Sequence, residues 1–389
     1  VGVLKIGNDI LFNEEKINIS LYIHIPFCVK KCLYCDFPSY GGMDEYFEVY
    51  VNKLCGEIYD AAGEMKGMNV RSIFIGGGTP SILPPKLMGK IMDAVINRYD
   101  VDSKAEITME ANPGTLDLDK LTELKSMYFN RLSIGLQAWQ NRILKSIGRI
   151  HTAEEFERNF YDARVIGFDN INLDLMFSLP GQSLSDWRET LQKAVGLNPE
   201  HISAYSLIIE EGTPFYDMYQ KGIIKETEEN LDRDMYYLVN AMLKENGYHR
   251  YEISNFAKKG FECEHNKVYW RTQEYKGFGL GAHSYMDGRR FHNTYDFKEY
   301  IEEKVKPLDT ELLSDEEKEE EFMFMGLRMT EGISKRDFRE RFKTDIYNVY
   351  GEELKTLIEE KLINEKDDRI FLSERGIDIS NQIFEKFIR

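Results

Sequence analysis

Three cysteines fall within eight residues of one another: FCVKKCLYCDF sets Cys28, Cys32 and Cys35 apart by three and then two residues. Thiolates are soft donors suited to iron–sulfur clusters and to zinc. A structural zinc site normally takes four protein ligands, and the remaining two cysteines, Cys55 and Cys263, are distant in sequence. Three thiolates can instead hold a four-iron cluster by three of its irons, leaving the fourth open to an outside ligand. Zinc and inert packing are the competing readings. An odd set of five cysteines is a poor disulfide framework in a long chain. Cys55 sits among Phe47, Val51, Leu54 and Ile58 at helical spacing and reads as core filler.

Two further segments could do chemistry. Gly76-Gly77-Gly78-Thr79 lets backbone N–H and C=O groups come close to a ligand, though a glycine triplet alone is also a plain turn. His265-Asn266-Lys267-Val268-Tyr269-Trp270 combines an imidazole with two aromatic rings. On its residues alone, His265 reads as a hydrogen-bonded loop histidine and Trp270 as core. Cys263, His283 and His292 are further donors with no stronger claim than ordinary hydrogen bonding.

The elements that must position these groups are legible as six short apolar runs: Leu21–Phe27, Ile73–Ile75, Glu106–Glu110, Arg131–Gln137, Asn170–Phe177 and His201–Leu207. Helical patterns lie between them, as in Tyr46 to Ala62. Strands alternating with helices imply a parallel sheet. Cys28 and the glycines follow the first two runs, Glu110 and Gln137 end the next two, and Asp174 lies within the fifth. A βα barrel works at that C-terminal face of its strands. Six units instead of eight predict an incomplete, three-quarter TIM-type barrel over residues 1–209, open on one side. Residues 210–306 are irregular and aromatic and read as an extension of strands and loops closing over the barrel mouth. From 307 to 389, a Ser314 cap with an acidic first turn, helices near 334–343 and 350–362 and a hairpin around Asp367-Asp368 predict a winged-helix-like α+β domain.

Composition excludes some roles. The net charge is −17 and the last domain carries 14 Lys and Arg against 21 Asp and Glu from Glu311 to Arg389. Nucleic acid is therefore not expected as a partner, because phosphate neutralisation needs a basic face. No run reaches the roughly 18 apolar residues of a spanning helix, and the first 20 residues lack a basic start and apolar centre. The expectation is a cytoplasmic protein, with peripheral membrane contact and a homodimer both compatible.

C-x3-C-x2-C directly after a first strand, with LYIHIPFC, FIGGGTPS, EANPGT, RLSIGLQ, LDLMFSLPGQ and GLGAHSY downstream, resembles the HemN/HemW branch of the radical-SAM superfamily from about Leu21 to the C-terminus. The resemblance implies a [4Fe-4S] cluster whose open iron is chelated by the amino and carboxylate groups of S-adenosylmethionine, with an electron from the cluster cleaving the sulfonium to a carbon radical. It also implies binding positions for that cofactor: Tyr22, Tyr34 against adenine, Gly77, Gly78, Thr79, Glu110, Gln137, Arg149 on the carboxylate, Asp174 and Ile208.

The branch holds porphyrinogen oxidases and heme carriers. The oxidases carry a further cysteine two residues after the third, where this chain has Phe37, and a longer N-terminal extension than the 20 residues or so found here. HNKVYW matches the HNxxYW signature of the carriers, which implies a heme role for His265, since a neutral imidazole is a natural axial ligand. The expected function is a heme chaperone passing heme to an apoprotein such as a cytochrome. The alternative is anaerobic oxidative decarboxylation of coproporphyrinogen III propionates, and a third is a radical enzyme acting on an unrelated substrate.

Overall fold

The computed structural model describes residues 17–389. Most of the segment on which the absence of a leader was read therefore lies outside the described residues. Six parallel strands form the working core: β1 (Asn18–Ile25), β2 (Asn69–Gly77), β3 (Asp100–Ala111), β4 (Arg131–Gln137), β5 (Ile171–Phe177) and β6 (His201–Ser206). They pair in sequence order, each parallel to the next. The two ends do not meet. Strand Tyr275–Phe278 pairs parallel to β1 and Asn255–Ala257 pairs antiparallel to β6, so the curved sheet continues past both ends.

Side-chain alternation fixes which face is which. Leu21, Ile23 and Ile25 of β1 are fully buried with Ile73, Ile75, Leu132, Ile134, Leu173 and Leu175 in one apolar cluster that includes the covering helices. Ser20, Tyr22 and His24 alternate with them and meet Ser72 and Phe74 inside. The interior is thus polar and the outer layer apolar, the reverse of a soluble coat.

Helices Phe47–Ala61, Pro85–Ile96, Leu118–Ser126, Ala153–Ile166 and Leu184–Gly196 carry the crossovers. Ala153–Ile166 shows how its limits are encoded. Thr152 and Glu155 close a reciprocal capping box at its start, and Gly167 ends it at φ 93°. The C-terminal unit has its own core, with Phe338, Tyr350, Leu354, Ile370 and Phe387 all fully buried. Its sheet runs Ile333–Ser334, Arg369–Leu372, Ile363–Lys366, and Ser314 makes a capping box with Glu317. The hairpin turn falls at Asp367, at φ 52°.

The extension differs in one respect from the covering of the mouth expected for it. Helix Glu264–Trp270, which carries the HNKVYW segment, sits at the N-terminal ends of the strands. Its first turn is held by Glu106, whose carboxylate accepts the N–H groups of Glu264 and His265 at 3.1 and 3.2 Å. In register, Glu106 lies opposite Ser72, which lies opposite Ser20. The cysteines follow the other end of β1. A helix N-terminus attracts a carboxylate, and Glu106 presents one in this bottom layer.

Candidate functional site

The three thiols come together where β1 runs into the loop after it. Cys28, Cys32 and Cys35 line one cavity of about 140 Å³ with Gly77, Gly78, Thr79, Glu110, Gln137, Arg149 and Asp174. Most lining groups lie at or beyond the C-terminal half of their strands, where a βα barrel works. Among the described residues no three His, Cys, Asp or Glu side chains converge closely enough to hold a single metal ion. Three soft thiols on one cavity are the donor chemistry that a multi-iron cluster takes. Burial pushes the Cys28 and Cys35 thiols up from their ordinary range, a cost that a bound cation would offset by holding them as thiolates.

The glycine stretch is close because it has to be. Gly78 N–H bonds the carbonyl of Ile25 at 2.8 Å and Thr79 N–H bonds that of Phe27 at 2.7 Å. A Cβ on Gly78 would stand 2.6 Å from the Phe27 carbonyl oxygen and 3.0 Å from Cys28 Sγ. Thr79 Oγ1 donates to Cys28 Sγ at 3.4 Å and accepts from Asn112 Nδ2 at 2.7 Å.

Arg149 is held rigidly beside the thiols. Its Nη2 donates to Asn112 Oδ1 at 2.6 Å and to the Gly135 carbonyl at 2.8 Å, its Nε to His151 at 3.3 Å, and its Nη1 to Cys32 Sγ at 3.7 Å. Burial, with the Arg149 charge, drives His151 down to about 3, so the imidazole is neutral and accepts that bond. Opposite, Glu110 accepts the Gly77 N–H at 3.0 Å and Asp174 accepts from Ser133 and Asn172. Burial first, and then the Asp174 charge, raises Glu110 to about 8. Gln137 is buried at φ 62° and its Oε1 has no partner, an acceptor aimed at something the chain itself does not provide.

Tyr34 lines the cavity and packs near Phe215, 6.4 Å between ring centres. Tyr22 does not line it. Its hydroxyl meets His24 one layer down, at 3.0 Å. Ile208 is also outside, with a side chain 68% exposed. Asn112 and Tyr205 belong to the lining and were not among the expected residues. Asn112 stands two places after Glu110 in EANPGT, and Tyr205 one place before Ser206, so their strand-end positions were the signal.

His265 is not in this cavity. It is 1% exposed, with Nδ1 bonded to Ser72 Oγ and Nε2 to Tyr269 Oη, both at 2.9 Å, and its ring stacks on Phe74 at 5.2 Å. Burial holds it near 3, hence neutral. Its imidazole can reach an iron atom only by leaving both partners and the barrel floor. Cys263 is fully buried beside it, donates to Glu106 at 3.3 Å, and is pushed up to about 12 by burial. Cys55 lies between two covering helices with Sγ toward the Lys90 carbonyl.

The open βα barrel with three cysteines at its mouth defines the class. Residues 22–194 match the family model for the radical SAM superfamily, and 313–379 match that for the HemN C-terminal domain. The chain is 41% identical to the heme chaperone HemW of Bacillus subtilis over 95% of this chain and 99% of that protein. It is 36% identical to that of Lactococcus lactis over 95% and 97%, and 40% identical to that of Escherichia coli over 71% and 73%. The E. coli coproporphyrinogen III oxidase HemN, a radical SAM enzyme, superposes with TM-score 0.84 over 96% of this chain and 90% of that one. At 23% identity that likeness concerns the fold. The chain belongs to the HemW family of the radical-SAM superfamily.

Proposed function

We propose that this chain binds heme and hands it to an acceptor apoprotein such as a cytochrome, with a [4Fe-4S] cluster on Cys28, Cys32 and Cys35 and S-adenosylmethionine in the cavity beside it. The observation that carries the reading is the convergence of three thiols, a glycine stretch and an immobilised arginine on one cavity, in a chain that belongs to this family. The cluster would supply a low-potential electron and an open coordination position. The chain's own residues hold and orient. Arg149 would pair with the cofactor carboxylate, Gly77, Gly78 and Thr79 would bring backbone groups alongside it, Glu110 and Asp174 would face its ribose, and Gln137 Oε1 would find the donor it lacks. Tyr34 would lie against adenine, and Tyr22 would act from below through His24. Ile208 could contribute through its backbone only, given where its side chain points.

No helix among the described residues is long and apolar enough to cross a membrane, and all five cysteines are free. Both fit work in the cytoplasm, with peripheral membrane contact or pairing of two copies compatible.

Heme added to the anaerobically reconstituted chain should give a stable Soret band shifted from that of free heme. Coproporphyrinogen III incubated with the reduced, S-adenosylmethionine-loaded chain should remain unconverted. Protoporphyrinogen IX formed at catalytic rates would return the chain to the oxidase reading. Failure of heme binding together with no oxidation of coproporphyrinogen III would favour an unrelated substrate.

A further inference from the structure

A heme carrier must present an iron ligand that a partner can compete for, so a ligand sealed in a barrel floor is poorly placed. The seven histidines differ sharply in this respect. His24 and His201 are buried with both ring nitrogens bonded, as is His265. His151 is buried beside Arg149. His292 has Nδ1 on the Asn293 carbonyl at 2.8 Å and Nε2 on Asp309 at 3.0 Å. His249 Nε2 lies 2.7 Å from a Glu262 carboxylate oxygen, toward the end of the sheet opposite to that of His283. His283 is exposed, and its partner is a neutral phenol: Nε2 meets Tyr295 Oη at 2.5 Å.

The surroundings of His283 suit a flat aromatic ligand. It pairs across the antiparallel hairpin with His292, ring centres 5.0 Å apart, and the His292 and Tyr295 rings are also 5.0 Å apart. Tyr295 is 48% exposed. This patch abuts the cluster loop. Tyr40 Oη donates to the Tyr295 carbonyl at 3.4 Å, and a Cβ on Gly281 would touch both the Tyr295 ring and Pro38. Phe37, two residues after Cys35, is 60% exposed at the rim of the cluster cavity. Lys31 Nζ donates to the Phe37 carbonyl, which sets a cation at the same loop for a propionate.

Resting on the carrier reading above, we propose that His283 is the axial ligand of the transported heme, with the macrocycle lying against Tyr295 and Phe37 on the surface beside the cluster loop. Tyr295 Oη holds Nε2 of His283 in the empty chain and gives it up when iron arrives, at the cost of one exposed hydrogen bond. Tyr295 is not itself the ligand. Partial desolvation raises its hydroxyl and lowers the His283 imidazole, so proton transfer from phenol to imidazole is disfavoured and the neutral imidazole is the better donor. The side chain of His283 is exposed, so its loss leaves the fold intact.

The test is a heme titration of the reconstituted full-length chain, followed by Soret position and affinity, for the unchanged protein, His283→Ala, His265→Ala and Tyr295→Phe. His283→Ala should weaken heme binding by about tenfold or more and change the axial-ligand spectrum. Tyr295→Phe removes the competing hydroxyl and should bind as tightly as the unchanged chain or tighter. His265→Ala should keep the spectrum wherever the melting curve shows the variant folded. Unchanged affinity and spectrum in His283→Ala would overturn the assignment while leaving the carrier reading standing. A folded His265→Ala that loses the heme spectrum would return the role to the HNKVYW helix. No heme complex in the unchanged chain would remove the carrier reading and this assignment together.

Discussion

Replacing Cys32 by Ala should reduce the iron held after anaerobic reconstitution from about four atoms per chain to nearly none, and abolish the broad visible absorption of the cluster. Cys32 lines the cavity and receives Arg149 Nη1 at 3.7 Å, with no packing role that would unfold the chain on truncation. Two thiolates cannot replace three, because each holds a different iron. Cys55→Ala is the control. That thiol lies between helices and is pushed up to about 11 by burial, so it is neither a thiolate nor near the cavity. Iron and sulfide analysis with the visible spectrum checks both variants. Equal loss from Cys55→Ala would contradict the ligand assignment.

S-adenosylmethionine should bind the reconstituted chain more tightly as pH rises, levelling off above about 8, and Glu110→Gln should weaken it by one order of magnitude or more and flatten that dependence. Glu110 stands at about 8 because it is buried beside Asp174, so at neutral pH it is largely protonated. A ligand that takes hydrogen bonds to the carboxylate, and carries a sulfonium cation, favours the ionised form and expels the proton on binding. Hydrogen bonds to a charged group contribute about 1.5–3 kcal/mol, which sets the size of the loss. The sign for stability is opposite. A carboxyl raised from 4.5 to about 8 contributes stability that is full below about 4.5 and is lost as pH climbs from there through about 8. Equilibrium dialysis from pH 6 to 9 measures the affinity, and a flat profile in the unchanged chain would contradict the role of Glu110. Gly78→Val is a less specific probe of the same cavity, since its side chain would collide with the Phe27 carbonyl and Cys28 Sγ together.

Much of this arrangement was legible in the residues. The cysteine spacing, the glycines after a strand, the helix cap at Ser314 and the turn at Asp367 are short-range signals, each decided by neighbours a few positions away. Strand limits were less so. β2 read as Ile73–Ile75 but runs Asn69–Gly77, because its inward residue Ser72 breaks the apolar run. A polar barrel interior hides strands from any reading based on hydrophobicity. The placement of HNKVYW was not legible at all. Which end of the barrel a returning helix plugs depends on a long-range match between its N-terminus and Glu106, more than 150 residues earlier. Asn112 was missed for a related reason: its importance lies in joining Thr79 to Arg149, three points far apart in sequence.

Delivery of heme is read out by handover to an acceptor. The chain, reconstituted with cluster and loaded with one heme, should be mixed anaerobically with an apo-cytochrome, the two separated, and each scanned for its Soret band. The band should move to the cytochrome, and the unloaded chain should transfer nothing. Heme that stays on the chain, or that reaches the cytochrome no faster than free heme does, would contradict delivery.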